Sequence, residues 1–205
     1  MARRTKAEAQ VTRQNILNAA LDIFSEKNYS VVSVVEIAER AGVTKGAVYW
    51  HFKGKSGIIF KIIEESCKQS ENDFLGIYGT PKSLLALRNY YKESLNKPVQ
   101  DAHYKKIHKI MFRRNEWPED LRSGVQDLVI ASIDKEVSML EALIIKAQAN
   151  GKVRGDINPR TVASVTASVF HGLFVLQLAE VLPEDFINYS DFLFDALSHE
   201  LEIKK

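Results

Sequence analysis

Residues 44–55 concentrate side chains that can bind a polyanion. The stretch holds hydroxyl, amine and aromatic groups, namely Thr44, Lys45, Tyr49, His51, Lys53 and Lys55. Amines and hydroxyls donate hydrogen bonds to phosphate oxygens, and together with aromatic side chains they also reach the edges of bases. Gly46 lies among them and allows the backbone to approach a ligand closely. The chemistry that this stretch predicts is nucleic-acid binding.

The spacing around this stretch predicts two short helices joined by a tight turn. Residues 33–52 read SVVEIAERAGVTKGAVYWHF. Apolar residues spaced to pack both helices against a preceding one are Ile37, Ala41, Val43 and Val48. Gly42 fits the turn, where a positive φ is easiest without a side chain, and Thr44 is placed to cap the second helix. A helix-turn-helix, whose second helix enters the major groove, has this spacing, and so does a structural αα-corner that binds nothing.

Helical patterns continue along the chain and predict an all-α fold of about nine helices. The first helix is expected over about 6–28, behind a Thr5-x-x-Glu8 capping box, and Ser33-x-x-Glu36 predicts a second such box. Prolines and glycines at boundaries mark the later helices. These are expected at about 55–75, 81–96 (ended by Pro98), 100–114, 118–150, 159–181 and 184–203.

Composition and charge narrow the classes of function. The 205 residues are 45% hydrophobic and 26% charged, which is typical of a folded globular protein rather than a disordered tail. Residues 1–63 hold ten Lys/Arg and five Asp/Glu, so they carry a net charge of +5 in a chain of net charge +2. The remainder is mildly acidic, and this asymmetry predicts that the N-terminal third meets a polyanion.

Other classes lack a sequence signature. The single cysteine, Cys67, forms neither an internal disulfide nor a multi-cysteine metal site, and we expect no secretory signal. His103 and His108 are poorly spaced to bind one metal ion together, so we expect no metal site. We also expect no cofactor. The lack of a Gly-rich phosphate loop, HExxH or GxSxG motif argues against an enzyme. Residues 161–179 are uncharged over almost membrane-spanning length, but their polar residues favour a helix buried on two faces and no membrane partner.

The string AGVTKGAVYWHFKGKSGI resembles the signature of TetR-family transcriptional repressors, and the preceding TRQNILNAALDIFSEKNY resembles the family's first helix. The start MARRTKAEAQ, the YWHFK string and the chain length look most like the AcrR-type branch, which regulates multidrug efflux pumps. The resemblance implies a DNA-binding domain over 9–70, with its helix-turn-helix at 33–52, and a ligand-binding and dimerisation domain over 71–205. It also implies a cytoplasmic homodimer that represses an efflux operon from a palindromic operator of double-stranded DNA. A small apolar or amphipathic inducer would release it.

The resemblance further implies a set of DNA-binding residues. That set is Ser33, Thr44, Lys45, Gly46, Tyr49, Trp50, His51 and Lys55. Thr44 and Lys45 match base-contacting positions of the family, and Gly46 lies beside them. Most of the others match contacts to the phosphate backbone, including Ser33 and Lys55. Trp50 is either a DNA contact or a packing residue of the short helix.

The C-terminal half carries more apolar helix than a small DNA-binding head needs. Residues 159–179 and 186–201 are apolar on more than one face, so each helix needs two partners, of which one can be a second subunit. We interpret His171 as a hydrogen-bonded core histidine. The expected pocket mixes aromatic and polar side chains, and its candidate lining is Phe74, Tyr78, Tyr91, His108, Met111, Phe112, Trp117, Gln126, Phe170 and Gln177. The alternative is a ligand-independent helical module that binds DNA or protein.

Overall fold

The computed structural model describes residues 5–78 and 84–183, together with residues 186, 192, 195 and 196. Within them lie eight α-helices and one 3-10 helix, Arg114–Glu116, and no strand. The α-helices are α1 (Lys6–Glu26), α2 (Val34–Arg40), α3 (Lys45–His51), α4 (Gly54–Tyr78), α5 (Leu84–Gln100), α6 (Ala102–Phe112), α7 (Glu119–Ala149) and α8 (Pro159–Leu178). The all-α prediction is confirmed. The helix expected at 184–203 lies almost entirely outside the described residues.

Polar caps set the starts of the first two helices. The Thr5 hydroxyl accepts from the Glu8 N–H at 3.2 Å, and the Thr5 N–H donates to Glu8 Oε2 at 2.7 Å, so the first capping box is complete. The second is formed only in part. The Ser33 hydroxyl accepts from the Glu36 N–H, but the Glu36 carboxylate pairs with Lys27. An ion pair across the connection between α1 and α2 thus replaces half of a local capping motif.

The prediction that Pro98 ends its helix is wrong, because α5 extends to Gln100. A proline within a helix removes one N–H donor and crowds the carbonyl four residues before it. Only two residues of α5 follow Pro98, so little of the helix lies beyond the hydrogen bond that the proline removes. A proline this close to the C-terminal end does not have to terminate the helix.

The helices belong to two compact units. The first unit comprises Met1–Cys67 and His103–Leu128, and the second comprises Lys68–Ala102 and Val129–Lys205. α4 and α7 each begin in the first unit and end in the second. Residues 103–128 therefore group with the N-terminal helices, whereas the sequence assigned them to the C-terminal half. The functional division near residue 70 stays a prediction.

The first unit is built on the buried face of α1. Its buried side chains include Ile16, Ala20, Ile37, Val48, Ile58 and Ile59, each inaccessible to solvent. α2 and α3 pack against α1 and against each other. α6 is joined to α1 by an ion pair in which Lys106 Nζ lies 2.7 Å from Asp22 Oδ1. α2 and α3 are therefore held in place by their packing on α1.

The second unit holds an aromatic core. Phe74, Tyr91 and Phe170 are each no more than 3% exposed. The rings of Tyr91 and Phe170 stack with centroids 3.8 Å apart, and the ring of Tyr90 meets Phe74 edge-on at 4.9 Å. Aliphatic residues from α5, α7 and α8 complete this core, among them Leu95, Leu140, Leu143, Ile144 and Ala163. Aromatic side chains of α4, α5 and α8 thus meet in one interior.

α8 keeps much of its apolar surface open. By length and composition alone it is long and apolar enough to cross a membrane. Its residues Ala163, Ala167 and Phe170 are buried in the core of the second unit. Other apolar residues of the helix are 41–51% exposed, namely Val165, Val175 and Leu176. Within the part of the chain that the structure describes, one of the two faces that the sequence expects to be buried is therefore covered.

Candidate nucleic-acid interface

α2, α3 and the turn between them form the predicted helix-turn-helix. Gly42 in the turn has a φ of +66°, the left-handed region that favours glycine. The Val43 N–H donates to the Ala38 carbonyl at 2.9 Å and closes the turn. Ile37 on α2 and Val48 on α3 are fully buried, so they fix both helices on α1.

Thr44 caps α3 as predicted. Its hydroxyl accepts from the Ala47 N–H at 3.2 Å, and a hydroxyl that accepts within the protein can still donate its own hydrogen to an outside acceptor. A Cβ on Gly46 would meet the Thr44 Oγ1 at 3.8 Å, an ordinary contact. Packing inside the protein therefore does not require glycine at position 46. Because Gly46 has no side chain, it leaves room at the outer surface of α3 beside Thr44 and Lys45.

The outer face of α3 exposes aromatic and cationic groups. Trp50 is 74% exposed and Tyr49 is 53% exposed. Lys45 Nζ lies 5.9 Å from the centroid of the Tyr49 ring, and the rings of Trp50 and His51 meet edge-on at 4.5 Å. Trp50 therefore does not pack the short helix against the core. Phe52, which follows α3, is 7% exposed and packs there instead.

Ser33 supplies a second hydroxyl at the start of α2. It accepts from the Glu36 N–H at 3.1 Å and, like Thr44, can still donate outward. The hydrogen bond from Lys27 lowers the pKa of the neighbouring Glu36 carboxyl. The charge of that carboxylate is thus paired within the protein, which limits its repulsion of an approaching phosphate.

Lys55 is engaged inside the protein. Its Nζ donates to the carbonyl oxygen of Tyr29 at 2.6 Å and to that of Val32 at 3.0 Å. It also lies 4.2 Å from the centroid of the Tyr29 ring. Two of the three ammonium hydrogens therefore go to the main chain between α1 and α2. Lys53, two residues earlier, is exposed.

The ten candidate pocket residues fall into both units. Phe74, Tyr91, Phe170 and Gln177 belong to the second unit, and His108, Met111, Phe112, Trp117 and Gln126 belong to the first. The structure brings Phe74, Tyr91 and Phe170 together in the aromatic core. Phe112 and Gln126 are exposed, so neither lines an enclosed cavity. Tyr78 ends α4, and its side chain lies outside what the structure describes.

A polar chain that the sequence did not predict runs from this core to the surface. The Tyr91 hydroxyl donates to Glu136 Oε1 at 2.7 Å, and Glu136 Oε2 lies 2.8 Å from His171 Nε2. The hydrogen bond to Glu136 raises the pKa of His171. The side chain of His171 is 46% exposed, so its interpretation as a core histidine is wrong, although it is hydrogen-bonded. No local pattern marks Glu136, because its partners are 35 and 45 residues away.

Comparisons with known proteins agree with this geometry. Residues 16–62, which contain the whole helix-turn-helix, match the family model described as bacterial regulatory proteins, tetR family. The chain is 34% identical over 174 residues to the HTH-type transcriptional regulator AcrR of Shigella flexneri, and the alignment covers 77% of this chain and 80% of AcrR.

Two solved structures share the fold over most of their length. NalD, the secondary repressor of the MexAB-OprM multidrug efflux pump in Pseudomonas aeruginosa, superposes with a TM-score of 0.77 at 25% identity. That match covers 96% of this chain and 100% of NalD. SmeT, the repressor of the Stenotrophomonas maltophilia efflux pump SmeDEF, was solved as a triclosan complex. It superposes with a TM-score of 0.77 at 23% identity, over 94% of this chain and 92% of SmeT.

Proposed function

The chain belongs to the TetR family of DNA-binding transcriptional regulators, and from this membership we propose that it is a ligand-responsive repressor. In this proposal a homodimer binds a palindromic operator in the cytoplasm and leaves it when a small apolar or amphipathic molecule binds. The regulated genes in this proposal are those of a multidrug efflux operon, because NalD and SmeT, which share this fold, are repressors of multidrug efflux pumps. Regulators of this family act by binding DNA, so the chain is not an enzyme.

The observation that carries the proposal is the contrast between the two faces of α3. Val48 on the inner face is fully buried, whereas Trp50 and Tyr49 on the outer face are more than half exposed. A helix fixed along one face, with hydroxyl, cationic and aromatic groups on the other, suits insertion into the major groove.

Within the groove we assign base reading to the N-cap and the first two residues of α3. Thr44 and Lys45 carry a hydroxyl and an amine that suit base edges, and Gly46 allows close approach there. The side chains of Ser33, Tyr49, Trp50 and His51 then contact the sugar–phosphate backbone around that groove. Lys55 has a different role, because its ammonium is already bound to main-chain carbonyls.

A second copy of the chain, in this proposal, covers the open face of α8. Beside the exposed apolar residues of α8, a groove of about 360 Å³ lies between α7 and α8, lined in part by Ile130, Ile133 and Val137. Its rim carries both signs of charge, since Arg160 Nη2 lies 2.5 Å from Asp134 Oδ1. A two-fold interface must be self-complementary, and a rim of mixed sign meets that requirement.

The inducer, in this proposal, binds at the aromatic core of the second unit. Phe74, Tyr90, Tyr91 and Phe170 supply flat apolar surface, and the bond from Tyr91 to Glu136 supplies a polar group. Ligand pockets are mostly apolar with few polar groups of this kind. α4 carries Phe74 near one end and Lys55 near the other, so one helix joins the ligand site to the head. An inducer must bind the DNA-free state more tightly than the DNA-bound state, with an expected coupling of about 1–3 kcal/mol.

The test starts from a pool of random DNA duplexes, from which the full chain selects its operator. We expect a two-fold symmetric sequence to be enriched and two chains to bind each duplex, as measured by fluorescence anisotropy and sedimentation. Triclosan, the ligand in the SmeT complex, is the first inducer to try, and it should weaken operator binding by roughly 5- to 150-fold. By reciprocity, operator DNA should weaken triclosan binding by the same factor.

The outcomes separate the competing functions. If no sequence is enriched, the DNA-binding role is wrong and a protein-interaction module is favoured. If one chain binds each duplex, the homodimer is wrong. Enrichment followed by binding that neither triclosan nor a panel of amphipathic compounds alters favours the ligand-independent DNA-binding module.

A further inference from the structure

Two consecutive residues at the start of α4 hold the chain segment that connects α1 to α2. Lys55 donates to the carbonyl oxygens of Tyr29 and Val32, at 2.6 and 3.0 Å. Ser56 Oγ lies 2.6 Å from the Tyr29 hydroxyl, so it forms a hydrogen bond to the same residue. Main chain, ring and hydroxyl of Tyr29 are all contacted from α4. We name the group of Tyr29, Val32, Lys55 and Ser56 the α4 clamp.

The held segment leads directly into the start of α2. Val32 is 2% exposed, and the next residue is Ser33, the N-cap of α2 and a proposed phosphate contact. The other end of the segment is fixed to α1, because the rings of Phe24 and Tyr29 stack with centroids 6.2 Å apart. Hydrogen bonds from a charged donor are about twice as strong as those between neutral groups. Lys55 therefore restrains the carbonyl immediately before Ser33 with a strong bond.

We propose that Lys55 is a positioning residue, which holds Ser33 and the start of α2 in place for DNA binding instead of contacting a phosphate itself. The proposal rests on the proposed DNA-binding function. Because Lys55 belongs to α4, a displacement of the start of α4 also moves the segment that carries Ser33. The α4 clamp is then the place where a change in α4 reaches α2.

Salt dependence separates a positioning lysine from one that contacts DNA. A lysine on a phosphate releases counterions, so its removal flattens the plot of log affinity against log salt by about 0.9 per phosphate. A positioning lysine lowers the affinity at every salt concentration and leaves that slope unchanged. Lys53 is a matched control, since it lies two residues away and is exposed.

The experiment compares Lys55→Met with Lys53→Met in the full chain on the selected operator duplex. Methionine keeps a long apolar side chain and removes the ammonium. For Lys55→Met we expect operator affinity to fall about tenfold or more, with the salt slope of the unaltered protein. For Lys53→Met we expect a smaller loss and a flatter slope. A Lys55→Met slope that flattens by about one unit per subunit would overturn the proposal, and so would an unchanged affinity.

A double-mutant cycle tests whether Lys55 acts through Ser33. Lys55→Met should cost less affinity in a Ser33→Ala background than alone, because the contact being positioned is already lost. If the losses of operator affinity in the double variant are additive, Lys55 does not act through Ser33. Tyr29→Phe is the milder variant in case Lys55→Met unfolds, since it removes the bond to Ser56 and keeps the ring. It should lower operator affinity about two- to tenfold with an unchanged salt slope, and an unchanged affinity for this variant also counts against the clamp.

Hydrogen exchange tests the α4 clamp without DNA. In Lys55→Met and Tyr29→Phe, backbone amides of residues 28–34 should exchange faster, whereas those of α3 should not change. Lys53→Met should leave both segments as they are. If the unaltered chain selects no DNA but the exchange result is obtained, the DNA-binding function fails and the α4 clamp stands. If DNA is selected but exchange at 28–34 does not change, the α4 clamp is wrong.

Discussion

The two units of this protein differ in where their proposed functional groups lie, at the surface in the first unit and in the interior in the second. In the first unit the proposed working groups are on the outside, on a helix whose inner face is buried, and Trp50 is 74% exposed. In the second unit the aromatic groups are inside, and Phe170 is 3% exposed and stacked on Tyr91. The first unit therefore offers a surface that meets a large partner. The second offers an interior that suits a small one.

This difference separates stability from recognition. An outward side chain can be removed at little cost in folding free energy, so its removal reports mainly on binding. An inward side chain contributes to the core as well as to any pocket, so its removal changes both. The same kind of substitution should therefore give different phenotypes in the two units.

The largest expected contrast is between two aromatic residues. Phe170→Ala should reduce the free energy of unfolding by about 3–5 kcal/mol, because it leaves a cavity in the aromatic core. Trp50→Ala should change it by less than about 0.5 kcal/mol, yet weaken operator binding. Urea unfolding and operator titration of both variants measure this. A large loss of stability in Trp50→Ala would show that the outer face of α3 is packed in solution.

The pH dependence of stability should have opposite sign at one histidine of each unit. Burial lowers the pKa of His108 in the first unit to about 4. As the pH falls, His108 therefore binds a proton in the unfolded chain before it does so in the folded chain. The free energy of unfolding should decrease by up to about 3 kcal/mol between pH 6.5 and pH 4. The pKa of His171 in the second unit is raised by its bond to Glu136. The contribution of His171 to the free energy of unfolding is therefore present below pH 6.5 and is lost as the pH rises through its raised pKa.

Urea unfolding across pH 4–8 checks this with His108→Gln and His171→Gln. The stability difference between the unaltered chain and His108→Gln should shrink toward acid, and that for His171→Gln should shrink toward alkali. Differences that change in the same direction for both variants would contradict the opposed environments.

A smaller effect concerns sequence reading by the outer face of α3. Lys45→Ala should lose about 1–3 kcal/mol of discrimination between operator and random DNA, because a base-edge contact carries that much specificity. Lys53→Ala should weaken binding to both duplexes alike. Competition titrations at fixed salt distinguish the two. Equal losses on both duplexes for Lys45→Ala would remove its base-reading role.

The smallest effect comes from two glycines with the same backbone conformation. Gly42 and Gly151 have φ values of +66° and +64°, and a Cβ on either would meet nothing within 4 Å. Alanine at either position should cost about 1–2 kcal/mol of stability through the left-handed conformation alone. Only Gly42→Ala should also weaken operator binding, because only that turn orients α3. A loss of operator affinity in Gly151→Ala would mean that the loop between α7 and α8 also takes part in DNA binding.

Local physics makes much of the first unit predictable from the sequence. The caps at Thr5 and Thr44 and the positive φ of Gly42 depend on residues three or fewer positions away, so a short string contains all the information. The buried positions Ile37 and Val48 follow from helical periodicity. The amino-acid sequence by itself therefore determines the two helices and the turn of the helix-turn-helix, whereas the exposure of Trp50 on its outer face required the structure.

Only the tertiary structure decided which distant groups meet. The ammonium of Lys55 binds carbonyls 23 and 26 residues earlier, and Glu136 joins side chains 35 and 45 residues away. The candidate pocket residues fall into two units for the same reason, since an aromatic residue on a helix has the same local pattern whichever core it enters. Hydrophobic burial is non-directional, so it requires that an apolar side chain be covered without specifying by which partner. Those partners follow from the packing of the whole chain.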